Sequence, residues 1–133
     1  MPVLCALVTY VSPPPARADD GGDRVRASMN CEQGARVGRV RCDVEVRAEP
    51  GSSISWGDVV VLRVPPFAAT LRGRSGPHEA SVREPHLWRW TFAMVAREAG
   101  RGEVDVRVRI VLCGSEGCGP REVEVAEKLE VGP

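Results

Sequence analysis

The chain's capacity for covalent chemistry rests on its cysteines. "VLCGSEGCGP", Val111–Pro120, sets Cys113 and Cys118 five positions apart around a glycine-flanked dipeptide. Two thiols at that spacing can form a structural staple, part of a metal site or a redox couple, because a thiolate is at once nucleophile, metal ligand and half of a disulfide. Cys31 and Cys42 form a second pair, eleven positions apart. A zinc site asks for three or four ligands at close quarters. The histidines, His78 and His86, lie in one loop with Glu79 and Glu84, which reads as a solvated loop rather than a ligand set. We therefore expect no metal and no cofactor. "GRSGPHE" lacks the spacing of a nucleophile elbow, and "GSEGCG" has no strand–loop–helix around it to cradle a phosphate. Catalytic candidates reduce to Cys113 and Cys118.

Composition narrows the partners. Hydrophobic residues make up 43% of the 133 and charged residues 27%, as in an ordinary soluble domain with chain enough for its own core. The 18 basic and 18 acidic residues cancel. Nucleic acid and anionic membranes both select for an excess of positive charge, so neither is expected, and the expected partner is another protein.

The first residues have a different character. Val3–Val11 is a nine-residue apolar run, followed by "SPPPARADD" with an A-x-A site at Ala16 and Ala18. Nine apolar residues are too few to span a bilayer but suit a secretory signal. We expect a signal peptide over 1–18, a mature domain over 19–133 without a transmembrane segment, and a periplasmic or secreted location. Cleavage leaves Cys31, Cys42, Cys113 and Cys118. An even number in a small exported domain reads as two disulfides, with three connectivities open.

The elements that must position these cysteines are strands. Val40, Cys42, Val44 and Val46 alternate with charged residues, as do Val104, Val106, Val108 and Ile110. Period two of this kind marks strands with one buried and one wet face. Further candidates are 24–30, 58–64, 68–72, 87–96 and 122–131, separated by turn-rich stretches. The expected fold is all-β, an antiparallel immunoglobulin-like sandwich of about seven strands. Trp88, Trp90, Phe92 and Met94 share one face and are expected in its core.

A hairpin hypothesis makes the register testable. If Ser115–Glu116 is a two-residue turn, Cys113 faces Cys118, and the outward pairs are Arg109–Glu122, Arg107–Glu124, Glu103–Lys128 and Arg101–Glu130. Four opposite-charge pairs and no like-charge pair favour that register. Glu127 would face Val104, which calls for an edge position or a bulge. A Cys113–Cys118 disulfide at the turn closes a short loop and is a weak staple. Cys31 and Cys42 both fall on inward parity and are expected to be the buried staple. The rival bridge, Cys42–Cys113, would suit an immunoglobulin core with Trp56, but Cys113 shares its face with Asp105, Arg107 and Arg109.

"GEVDVRVRIVLCGSEGCGPREVEV", with Cys113, Cys118 and Pro120, resembles the amino-terminal periplasmic domain of the thiol:disulfide interchange protein DsbD and the related disulfide bond corrector domains. That resemblance implies an immunoglobulin-like domain that takes electrons through Cys113 and Cys118 and passes them to periplasmic partners. The residues themselves favour a non-catalytic binding or accessory module, with thiol–disulfide exchange as the alternative. The thirteen residues of Gly73–Pro85, a largely polar stretch, exceed what a connection needs. Arg74, His78, Arg83 and His86 are the candidate binding residues there.

Overall fold

The computed structural model describes residues 24–133, so the expected signal segment over 1–18 and the cleavage point before Asp19 lie outside the described residues. Ten strands follow one another: β1 (Val25–Cys31), β2 (Ala35–Arg36), β3 (Gly38–Ala48), β4 (Ser53–Arg63), β5 (Ala68–Thr70), β6 (Arg74–Ser75), β7 (Val82–Glu84), β8 (Leu87–Ala96), β9 (Gly100–Gly114) and β10 (Gly117–Gly132). They build two five-stranded sheets. The first runs β1-β3-β8-β5, with β7 also on β8; the second runs β2-β10-β9-β4-β6. The described residues form an all-β sandwich, with ten strands rather than seven. All pairs are antiparallel except β10 with β2, a departure from the expected all-antiparallel arrangement.

Alternation places the core between the sheets. Val40, Cys42, Val44 and Val46 of β3 are fully buried, as are Val104, Val106 and Val108 of β9. Trp88, Trp90, Phe92 and Met94 of β8 point inward with them, as the sequence predicts. Valines dominate because β-branched side chains fit the pleated surface. The Trp90 ring reaches across to β4, where a Cβ on Gly57 would come within 2.9 Å of Trp90 Cη2. Only glycine leaves room for that ring. Trp90 Nε1 donates to Gly76 O at 3.0 Å, so the bulkiest core residue also tethers the segment after β6.

Two departures come from elements too short to show a period. The expected loop Gly73–Pro85 contains β6, a short 3-10 turn (Pro77–Glu79) and β7. β6 pairs with β4, and β7 forms a tight hairpin with β8. Strand β4 begins earlier than expected because a bulge interrupts its alternation. Ile54 faces Leu112 and Trp56 faces Val111, leaving Ser55 as the extra residue. A bulge shifts parity by one. Ile54, Gly57 and Val59 are all buried inward, while Ser55 and Trp56 both turn outward.

Candidate functional site

The hairpin forms in the expected register over its whole length, from Gly114↔Gly117 through Cys113↔Cys118 to Gly100↔Val131. Glu127 faces Val104 without a bulge, because β10 lies at the edge of its sheet there. Cys113 and Cys118 are joined by a disulfide with Cα atoms 4.0 Å apart, the close spacing of a non-hydrogen-bonded pair. Cys31 and Cys42 form the second disulfide, also between directly opposed residues, with Cα atoms again 4.0 Å apart. Cys42 is fully buried and Cys31 partly so. The rival Cys42–Cys113 bridge is absent. Trp56 is outside the core, carried to the outer face by the bulge.

That outer face of the second sheet is where the chemistry gathers. Three cross-strand rows lie below the turn: Ser53, Cys113 and Cys118; Trp56, Val111 and Pro120; Asp58, Arg109 and Glu122. Cys118 is exposed and Cys113 half-buried. The Ser55 hydroxyl lies 3.6 Å from Cys113 Sγ and donates to Val111 O at 3.4 Å. The Trp56 side chain is partly exposed between Ser55 and the charged row.

The charged row contains an unexpected element. Asp58 is fully buried although it points away from the core. Arg74 Nε donates to its Oδ2 at 2.8 Å, Arg109 Nε donates to its Oδ1 at 2.8 Å, and Arg109 Nη2 also donates to Oδ2. Burial by itself pushes this carboxyl up, but the hydrogen bonds and charges of Arg109 and Arg74 outweigh it and hold the carboxyl below its ordinary value. Arg109 therefore pairs with Asp58 and not with its register partner Glu122. Glu122 instead approaches Arg107 at 4.0 Å, while Arg107 binds Glu124 at 2.7 Å. Arg101 pairs with Glu130 at 3.1 Å as expected. Lys128 sits opposite Glu103 without forming an ion pair among the described residues.

The structure spreads the candidate binding residues over β6, the 3-10 turn, β7 and the β7–β8 turn. Arg74 is committed to Asp58 and fastens β6 to β4. His78 stands exposed on the 3-10 turn, Arg83 on β7, and His86 at the β7–β8 turn. Among the described residues, no three His, Cys, Asp or Glu side chains converge on a common metal position. No described helix is long and apolar enough to cross a membrane. Trp56, Ser55 and Asp58 were not identified from sequence. The available signal was the break in alternation through "SISWGDVVVL", where Ile54 and Val59 cannot share a face without an inserted residue.

No family model and no curated protein sequence matches this chain. Among solved structures, the VesB protease of Vibrio cholerae is similar over 84% of this chain and 32% of its own, at 8% identity and a TM-score of 0.39. AggA, the major subunit of aggregative adherence fimbriae type I from Escherichia coli, is similar over 81% of this chain and 95% of its own, at 7% identity and a TM-score of 0.41. BslA, a bacterial hydrophobin, gives 80% and 95%, at 9% identity and a TM-score of 0.38. The chain spans about a third of the protease's length. None of these three likenesses bears on function.

Proposed function

We propose that this chain is an exported, non-catalytic accessory module that binds another protein through the outer face of its second sheet. The observation that carries this reading is the bulge at Ser55, which turns Trp56 out of the core onto a rigid surface beside Val111 and Pro120. A tryptophan on an ordered sheet offers large contact area at little entropic cost, the character of an interface anchor. Export is supported by two disulfides in one small domain, a feature of oxidising compartments. A photo-crosslinking residue at position 56, introduced into the exported protein in its native host, tests the reading. One discrete crosslinked protein is expected. Crosslinks from His78 or His86 but none from position 56 would move the binding surface to the β6–β8 segment.

A second reading is favoured by the exposed Cys118 sulfur and the hydroxyl beside Cys113. It makes the chain a thiol–disulfide exchange domain using Cys113 and Cys118, in line with the resemblance to the DsbD amino-terminal domain. An incoming protein thiolate would attack one sulfur, expel the other as thiolate and leave a mixed disulfide. No Lys or His adjoins either cysteine in sequence to lower a thiol pKa, which places this reading second.

A further inference from the structure

One backbone edge of β10 is largely unpaired among the described residues. β10 pairs with β9 along its whole length, whereas among the described residues its other edge is hydrogen-bonded only to β2, at Val131 and Gly132, with β1 of the facing sheet packed alongside but not paired to it. Since Cys113–Cys118 is a non-hydrogen-bonded pair, alternation fixes the rest. The N–H and C=O groups of Glu122, Glu124, Ala126, Lys128 and Glu130 point away from β9, towards the vacant edge. Pro120 falls in the same series, so its missing N–H is lost from the open edge and not from the ladder. It also marks where usable edge ends.

A groove of about 720 Å³ runs beside the far half of this edge, lined by the β1–β2 connection and by Glu127, Lys128 and Glu130. Glu32, Glu127 and Glu130 give it three acids against Arg36 and Lys128. Among the described residues Glu32, Glu127 and Lys128 form no ion pair, and Glu130 reaches only Arg101. A half-buried, unpaired Glu127 beside unpaired backbone calls for a strand that brings positive charge.

We propose that this strand is β10 of a second copy of the chain, added antiparallel about a two-fold axis at Val125. Hydrogen-bonding geometry allows only registers that set even-numbered residues of Arg121–Glu130 opposite one another. Shifting the axis to Glu124 opposes Glu124 to itself, and shifting it to Ala126 opposes Glu122 to Glu130. The axis at Val125 sets Glu122 against Lys128 twice and Glu124 against Ala126 twice, with no like pair. It also opposes the half-buried Val125 side chains and carries Arg121 of the second copy into the acidic groove, diagonal to Glu127. The contact is isologous and uses each edge once, so it closes as a dimer and does not propagate. Edge, groove and axis are all separate from Trp56, so the surface proposed above stays free.

Sedimentation velocity of the secreted full chain over a concentration series tests this. A monomer–dimer equilibrium is expected. Lys128→Glu should weaken it about tenfold, because two symmetry-related pairs change from opposite to like charge. Adding Glu122→Lys to the same chain should restore it. Glu124→Pro removes a donor from the vacant edge without touching the β9 ladder, and should abolish the dimer while leaving the circular dichroism spectrum unchanged. A chain that stays monomeric at every concentration overturns the proposal, as does a dimer indifferent to Lys128→Glu and Glu124→Pro.

Discussion

The two disulfides join residues that face each other directly across antiparallel strands, and both hold their Cα atoms 4.0 Å apart. Their surroundings have little else in common. Cys31–Cys42 ties the edge strand β1 to β3, with Cys42 sealed in the core. Cys113–Cys118 sits one pair from a two-residue turn, with Cys118 in solvent. Loop length hardly separates them: in the chain-entropy model, doubling a closed loop is worth only about 0.6 kcal/mol. What separates them is burial and what the chain does unaided. Turn chemistry at Gly114–Gly117 and the Arg107–Glu124 and Arg101–Glu130 pairs hold the hairpin with or without its bridge. Nothing equally local brings β1 to β3. The same Cα spacing therefore does structural work at one end of the molecule and is left more accessible to chemistry at the other.

The largest expected effect comes from breaking the buried member. Replacing Cys31 and Cys42 together by Ala should cost about 3 kcal/mol, from lost loop constraint and from sulfur removed from the core. For a domain of this size that lowers Tm by roughly 10–15 °C, read by thermal circular dichroism.

Asp58 comes next, and it sharpens the contrast, because it locates the stability of the hairpin side in an ion cluster rather than in the bridge. Asp58→Asn leaves Arg74 and Arg109 facing a neutral acceptor and should cost about 2 kcal/mol, the low side for a buried pair because both guanidinium groups are half exposed. The sign with pH follows from the lowered carboxyl. Its contribution is fully present above the ordinary carboxylate value of about 3.9 and is lost as pH falls through its lower folded-state value. Urea titrations at neutral and strongly acidic pH should show the wild type and Asp58→Asn converging only in acid. A constant gap would mean that shape, not charge, holds β6 to β4.

Removing Cys113 and Cys118 together should cost less, about 1 kcal/mol or below, by the argument that the hairpin is already paired. A loss larger than that for the buried pair would reverse the assignment of roles.

The contrast between the bridges was legible in sequence because period two over long strands carries parity. It placed Cys42 with Val44 and Val46, Cys113 with Arg107 and Arg109, and every residue of the β9–β10 register. Strands of two or three residues carry no period, so β2, β6 and β7 were invisible, and with them the capture of Arg74. Asp58 carried no local sign of burial for the same reason. Its burial depends on β6 arriving from sixteen residues away, a tertiary fact that no local pattern encodes.

The smallest effect on the fold is expected from reduction, and it bears most directly on function. Under native conditions dithiothreitol should open Cys113–Cys118 first, because a thiolate reaches the exposed Cys118 more readily than the half-buried Cys31 or the buried Cys42. Alkylation and peptide mapping at intermediate times should find label at 113 and 118 alone, with the circular dichroism spectrum unchanged. Trp56, one row away, supplies an independent optical reporter, since opening the neighbouring bridge alters its surroundings without unfolding the sheet. The potential then discriminates between the two proposed functions. Structural bridges of exported proteins lie below roughly −300 mV, and exchange-competent ones nearer −120 to −270 mV. A value in the lower group assigns the bridge to pinning the hairpin beneath Trp56. A value in the upper group, with a mixed disulfide trapped by replacing one of the two cysteines, assigns it to electron transfer.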